Sequence, residues 1–112
     1  MCRYGDIFWA DLGDDADGSL QAGGRPVLVI SNNKANQYSP VITIIPITSK
    51  MCKAGLPTHV LIKECGLKKP SIALAEQITS INKERLEGKI GSIQSTVYVG
   101  LVRKAIQIQL NL

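Results

Sequence analysis

Read for alternation alone, the chain breaks into short apolar runs separated by polar segments rich in glycine, proline and asparagine. Residues 5–12 (GDIFWADL) predict a first strand, with Ile7 and Trp9 alternating with Phe8 and Ala10. Residues 13–24 are acidic and then glycine-rich, with no hydrophobic period, and predict a long loop of the kind that is functional or mobile in small domains. Residues 26–31 open with Pro26 and continue as β-branched residues and leucine, the pattern of a strand buried on both faces. Residues 32–40 are turn chemistry with room for one helical turn. A third strand follows at 41–47, a second polar loop at 48–57, a fourth strand at 58–62 and a basic connection at 63–70. Residues 71–81 alternate as one further strand, with Ile72, Leu74, Glu76 and Ile78 on one side. Asn82 is placed to cap a helical turn over 83–86, and 89–93 predict a last short strand. From 95 to 110 the period changes: Tyr98, Leu101, Val102, Ala105 and Ile108/Gln109 recur at helical spacing, with Ser95 as the expected N-cap. Many short strands and one terminal helix predict a small, strongly bent sheet or barrel.

Composition narrows this picture. At 112 residues the chain suits one domain spanning 1–112, and a 45% hydrophobic share with 20% charged residues argues against disorder. No stretch is long enough for a membrane span, and the first residues run directly into a strand, so a cytoplasmic protein is expected. Cys2, Cys52 and Cys65 form no CxxC pair, which argues against a disulfide framework or a zinc site. The net charge of +4 is unevenly spread. Asp6, Asp11, Asp14, Asp15 and Asp17 crowd the beginning, and only four acids oppose the lysines and arginines from residue 18 onward. The body of the protein therefore favours a polyanionic partner.

The chemistry gathers around Gly23-Gly24-Arg25-Pro26, a glycine pair and a cation at the mouth of the second strand. Antiparallel pairing of the second and third strands would bring Arg25 beside Thr48 and Ser49, with Ser19 and Gln21 at the same end. An arginine, hydroxyls, an amide and the N–H groups of Gly23 and Gly24 suit a phosphate. Lys50, Lys53, Lys68 and Lys69 flank the same region. The polar pair Glu76-Gln77, inside an apolar segment, requires partners if buried. His59, the single histidine, is expected to be structural, and the acidic turn to be solvated. No HExxH, EF-hand, P-loop or GxSxG pattern occurs, so the expected chemistry uses no metal.

These residues, taken in order, resemble the MazF/PemK (Kid-like) toxins of bacterial toxin–antitoxin systems. The resemblance is carried by Arg3-Tyr4-Gly5-Asp6-Ile7 through Ala10-Asp11-Leu12, by 18–30 (GSLQAGGRPVLVI), by Asn36-Gln37-Tyr38-Ser39-Pro40 and by Ile47-Thr48-Ser49. Pro57-Thr58-His59-Val60, Glu76-Gln77-Ile78, Lys83 and Arg85-Leu86 continue it; only the final helix is weakly matched. The resemblance implies a mainly β, SH3-like barrel that forms a homodimer. It also implies a sequence-specific endoribonuclease that cleaves single-stranded RNA without metal or other cofactor, leaving 2′,3′-cyclic phosphate and 5′-hydroxyl ends. Its catalytic arginine and threonine fall on Arg25 and Thr48, and Ser19, Gln21 and Gln77 fall on positions of RNA contact. The implied protein partner is an antitoxin with an acidic, disordered C-terminal segment. Leu20, Ala22 and Thr79 depart from the family pattern, and Thr79 stands where many members carry arginine. Trp9, Tyr38 and Phe8 are the candidates for base stacking. Two other functions fit this fold: a CcdB-like gyrase poison, whose C-terminal ending the tail 107–112 does not resemble, and a non-catalytic SH3-like binding module.

Overall fold

A computed structural model describes residues 1–13, 21–51 and 55–112. Its strands are β1 (Asp6–Asp11), β2 (Gly24–Val29), β3 (Val41–Thr48), β4 (His59–Ile62), β5 (Ser71–Leu74), β6 (Thr79–Asn82) and β7 (Leu86–Ser92). Helix α1 (Asn33–Tyr38) joins β2 to β3, and α2 (Tyr98–Leu110) follows β7. All pairings are antiparallel, in the order β4-β5-β3-β2-β1-β7. The sheet bends at β3, whose first half pairs with β6 and whose end pairs with β5. No ladder joins β4 to β7 among the described residues, so the barrel-like sheet stays open in its hydrogen bonding.

The apolar run of the second strand is buried on both faces, as its pattern predicts. Leu28 faces one core with Ile7, Ile45, Ile47, Ile62 and Val102, while Val27 and Val29 face another with Ala10, Ile42 and Ile44. Burial of each such side chain is worth about 1.5–3 kcal/mol, and this double layer places β2 and β3 between the two cores.

Several boundaries differ from the sequence expectation, and β7 begins at Leu86 instead of residue 89. Residues 71–81 are not one strand: a 3-10 turn at Ala75–Gln77 separates β5 from β6. The turn lets Glu76 and Gln77 leave the sheet and find polar partners, which a continuous strand would deny them. Asn82 precedes the 3-10 turn Lys83–Arg85 without a side-chain capping bond. Ser95 does not cap α2. It adopts a left-handed backbone (φ 64°), and the Thr96 hydroxyl accepts the Tyr98 amide at 3.1 Å instead. The buried face of α2 is accordingly Val102 and Ala105, while Leu101 and Ile108 remain exposed.

The connection after β4 crosses directly over β7. Glu64 and Cys65 both have positive φ, as does Gly66 at 92°, and Gly66 and Gly91 meet almost backbone to backbone. Such a crossing admits no Cβ on either glycine. It carries Lys68 and Lys69 to the end of the sheet where β2 begins and β3 ends.

Candidate active site

The β2–β3 ladder pairs Val27 with Pro46, Leu28 with Ile45 and Val29 with Ile44. Two residues further along the same register, Arg25 stands opposite Thr48, as strand pairing predicts. Both line one open cleft of about 560 Å³ with Gly24, Ser49, Lys50, Lys68, Lys69 and Ser71. Its floor is Ile47, Leu67 and Ile90, and its wall includes Trp9. Four cations and no carboxylate line this cleft among the described residues.

Arg25 is held by neutral groups. Its Nε donates to the Ala22 carbonyl at 2.9 Å, and its Nη1 donates to Gln21 Oε1. Among the described residues it has no ion pair; the pairs found are His59–Glu76 and Lys89–Asp6. Burial lowers the guanidinium pKa, because removing a cation from water disfavours its charged form. A partly buried arginine fixed by carbonyls and sharing a cleft with other cations is a preformed anion site.

Thr48 is buried at the end of β3, and its Oγ1 accepts the Lys50 amide at 3.2 Å. That bond uses a lone pair and leaves the hydroxyl proton as the group to offer a ligand. The glycines have separate jobs. The Gly23 amide donates to the Gly13 carbonyl at 2.7 Å, and the Leu12 amide donates to Gly23 at 2.9 Å, so these bonds clasp the ends of the acidic loop. Gly23 is therefore a clasp, not a phosphate donor. Gly24 lines the cleft, where a Cβ would come within 2.9 Å of the Trp9 indole nitrogen.

Gln21 and Gln77 line a second cleft of about 530 Å³, with Glu76, Thr79, Asn82 and Arg85. Gln77 Oε1 accepts the Gln21 amide at 2.7 Å. Of the stacking candidates, Trp9 is 42% exposed beside Arg25; Phe8 packs on the second core, and Tyr38 lies on α1 away from both clefts. Ser19, Leu20, Lys53, Cys52 and the acidic residues 14, 15 and 17 lie outside the described residues. Cys2 and Cys65 are unbridged. The sequence reading of the site missed Ser71 and the apolar floor, because the Gly66–Gly91 crossing that assembles them leaves no local pattern.

His59, expected to be structural, lines neither cleft. Its Nε2 meets Glu76 Oε2 at 2.6 Å, and Thr58 donates to Glu76 Oε1 at 3.1 Å. Burial pushes the Glu76 carboxyl up, but hydrogen bonds from His59, its own backbone and Thr58 outweigh this and hold its pKa below the ordinary 4.5. A depressed folded pKa adds stability that is present above the unfolded value and lost as pH falls through the folded one. Thermal melts from pH 7 down to 3 should therefore show the advantage of wild type over Glu76→Gln shrinking below about pH 4.5. A constant gap across that range would refute the role of the ionised carboxylate.

A family model for the PemK-like, MazF-like toxin of type II toxin-antitoxin systems matches residues 3–110. The chain belongs to this family. A curated relative, Endoribonuclease EndoA of Bacillus subtilis (strain 168), is 44% identical over 114 aligned residues, covering all of this chain and 97% of the relative. Among solved structures, a mycobacterial endoribonuclease in complex with its cognate antitoxin superposes with a TM-score of 0.82 at 20% identity, over 100% of this chain and 97% of that one. MazF from Deinococcus radiodurans gives 0.82 at 23% identity, over 99% and 97%. At these identities the superpositions speak for the fold, a mainly β antiparallel sheet with a C-terminal helix, which this PemK-like, MazF-like toxin shares. No helix of its described residues is long and apolar enough to cross a membrane.

Proposed function

We propose that this toxin is an endoribonuclease of single-stranded RNA whose reaction centre is Arg25 and Thr48. The observation that carries the reading is the carbonyl-held, partly buried Arg25 beside Thr48 in a cleft lined by cations. The 44% identical relative is itself named an endoribonuclease, which supports the same reaction class.

In this reading the ribose 2′-oxygen bonds to the adjacent phosphorus while the bond from phosphorus to the 5′-oxygen breaks. The 2′-hydroxyl proton leaves to water and the departing 5′-oxygen gains one. Products are a 2′,3′-cyclic phosphate and a 5′-hydroxyl. Arg25 stabilises the extra negative charge on the pentacoordinate phosphate, the role a fixed, preorganised cation fulfils best. Its pKa is lowered but an arginine remains far too weak an acid to supply the proton at neutral pH. Thr48 donates its hydroxyl to a phosphate oxygen and aligns the attack. Ser49, Lys50 and the Gly24 backbone contact the RNA backbone, Trp9 offers a stacking face, and Ser19, outside the described residues, is a further candidate for RNA contact. Residues 1–112 act as one toxin domain in a cytoplasmic homodimer, opposed by an antitoxin whose acidic, disordered C-terminal segment neutralises the basic cleft.

Purified protein incubated with a long single-stranded RNA and EDTA should give discrete cuts bearing cyclic-phosphate ends. Intact RNA under those conditions would overturn the reading, and gyrase blocked by the same protein would point to a poison.

A further inference from the structure

We infer that Gln21 and Gln77 form a two-step relay that positions Arg25, so that their main contribution to cleavage is to the chemical step and not to RNA affinity. The inference rests on the endoribonuclease reading and assigns these two residues a role within it.

The geometry runs in one direction. Gln77 sits in the 3-10 turn between β5 and β6, a turn fixed from behind by Thr58 and His59 on Glu76 and by the Ala75 amide, which donates to the Thr58 carbonyl at 3.0 Å. From that rigid base Gln77 Oε1 accepts the Gln21 backbone amide at 2.7 Å. Gln21 in turn presents Oε1 to Arg25 Nη1, while the neighbouring Ala22 carbonyl takes Nε. The guanidinium fork is thereby held at two of its nitrogens by the segment that Gln77 anchors, 56 residues away in sequence from Gln21. An RNA contact alone would not require either glutamine carbonyl to be turned into the protein. Both are: Gln21 Oε1 accepts directly from the cation, and Gln77 Oε1 accepts the backbone amide of that same Gln21.

A fixed guanidinium stabilises developing charge without reorganising, and a displacement of about 1 Å can cost on the order of 100-fold in rate. Arg25 freed from this relay keeps its charge and its attraction for RNA but loses its aim. Gln77→Glu retains an oxygen that accepts the Gln21 amide, whereas Gln77→Ala and Gln21→Met remove the acceptors.

Three readouts test this. At saturating RNA, Gln77→Ala and Gln21→Met should each lower the single-turnover cleavage rate by roughly 10- to 100-fold, with the RNA dissociation constant within about 3-fold of wild type. The double variant should be no slower than the worse single variant, because both cut one relay. Gln77→Glu should recover the rate at saturating RNA even where its added charge weakens binding. Independently of activity, the Arg25 Nε–H NMR signal should be sharp in wild type and in Gln77→Glu, and broadened in Gln77→Ala. Losses confined to affinity, additive effects in the double variant, or an unchanged Arg25 signal would overturn the relay. An active Arg25→Ala protein would instead sink the endoribonuclease assignment of Arg25, a result that these glutamine variants cannot mimic.

Discussion

Arg25→Ala is expected to reduce cleavage of single-stranded RNA by about 1,000-fold or more while leaving the fold intact. Removing one preorganised donor from a site of charge development costs roughly 100- to 1,000-fold, and Arg25 supplies both a full charge and several donors. The structural cost is small by comparison. Two hydrogen bonds are lost, to the Ala22 carbonyl and to Gln21, worth about 1 kcal/mol each. Lysine at this position keeps the charge but has no fork to reach both carbonyls and the phosphate. Arg25→Lys should therefore recover RNA affinity and little of the rate. The measurement is a single-turnover assay on a defined RNA beside a thermal melt of each variant. Wild-type rates with either substitution would remove Arg25 from the chemistry, and a collapsed melt would show that its role is structural.

The second large effect is expected far from the chemistry. Gly91→Ala should destabilise the protein by about 3 kcal/mol or more, a fall in melting temperature of more than about 10 °C for a chain of this size. A Cβ on Gly91 would overlap the Cys65 carbonyl and come within 3.1 Å of the Gly66 Cα. Those neighbours are backbone, already bent through left-handed Glu64 and Cys65, and have no side-chain freedom with which to yield. Gly88→Ala is the control within the same strand. Its Cβ would meet nothing within 4 Å, so the change should stay within about 0.5 kcal/mol. Equal melts for the two variants would show that the crossing is not the rigid joint described.

Most of the fold is legible in the sequence where the signal is local. β1 to β4 announce themselves by apolar alternation and by the turns between them, and Arg25 meets Thr48 because antiparallel pairing is the simplest connection of two neighbouring strands. The failures also have local causes. Ile78 continues the even-numbered phase of Ile72 and Leu74 and so hides the 3-10 turn that Glu76 and Gln77 require, although Ile81 falls in the opposite phase. β7 (LEGKIGS) carries glycines and charges that weaken its strand signal, since its role is to cover β1 and to let the 64–67 connection pass close by. Ser95 has the chemistry of a cap but a left-handed backbone, so the hydroxyl that serves is its neighbour's. Within the site, Arg25, Thr48, Ser49 and Lys50 could be named from pairing alone. The floor of the cleft and the approach of Lys68 and Lys69 depend on a crossing between segments about 25 residues apart, and no periodicity encodes it.

The strand order has a further consequence, in time instead of space. β1 is made well before β7, yet one of its two edges is covered only by β7. β3 likewise waits for β5 and β6 along one side. Contacts so distant in sequence close slowly and late, and strands leaving the ribosome in the N-terminal half must remain unpaired along an edge until residues 86–92 have emerged. The cationic cleft, floored by Ile90, cannot be complete before then. Until then the chain exposes unpaired strand edges, the feature most open to pairing with another chain.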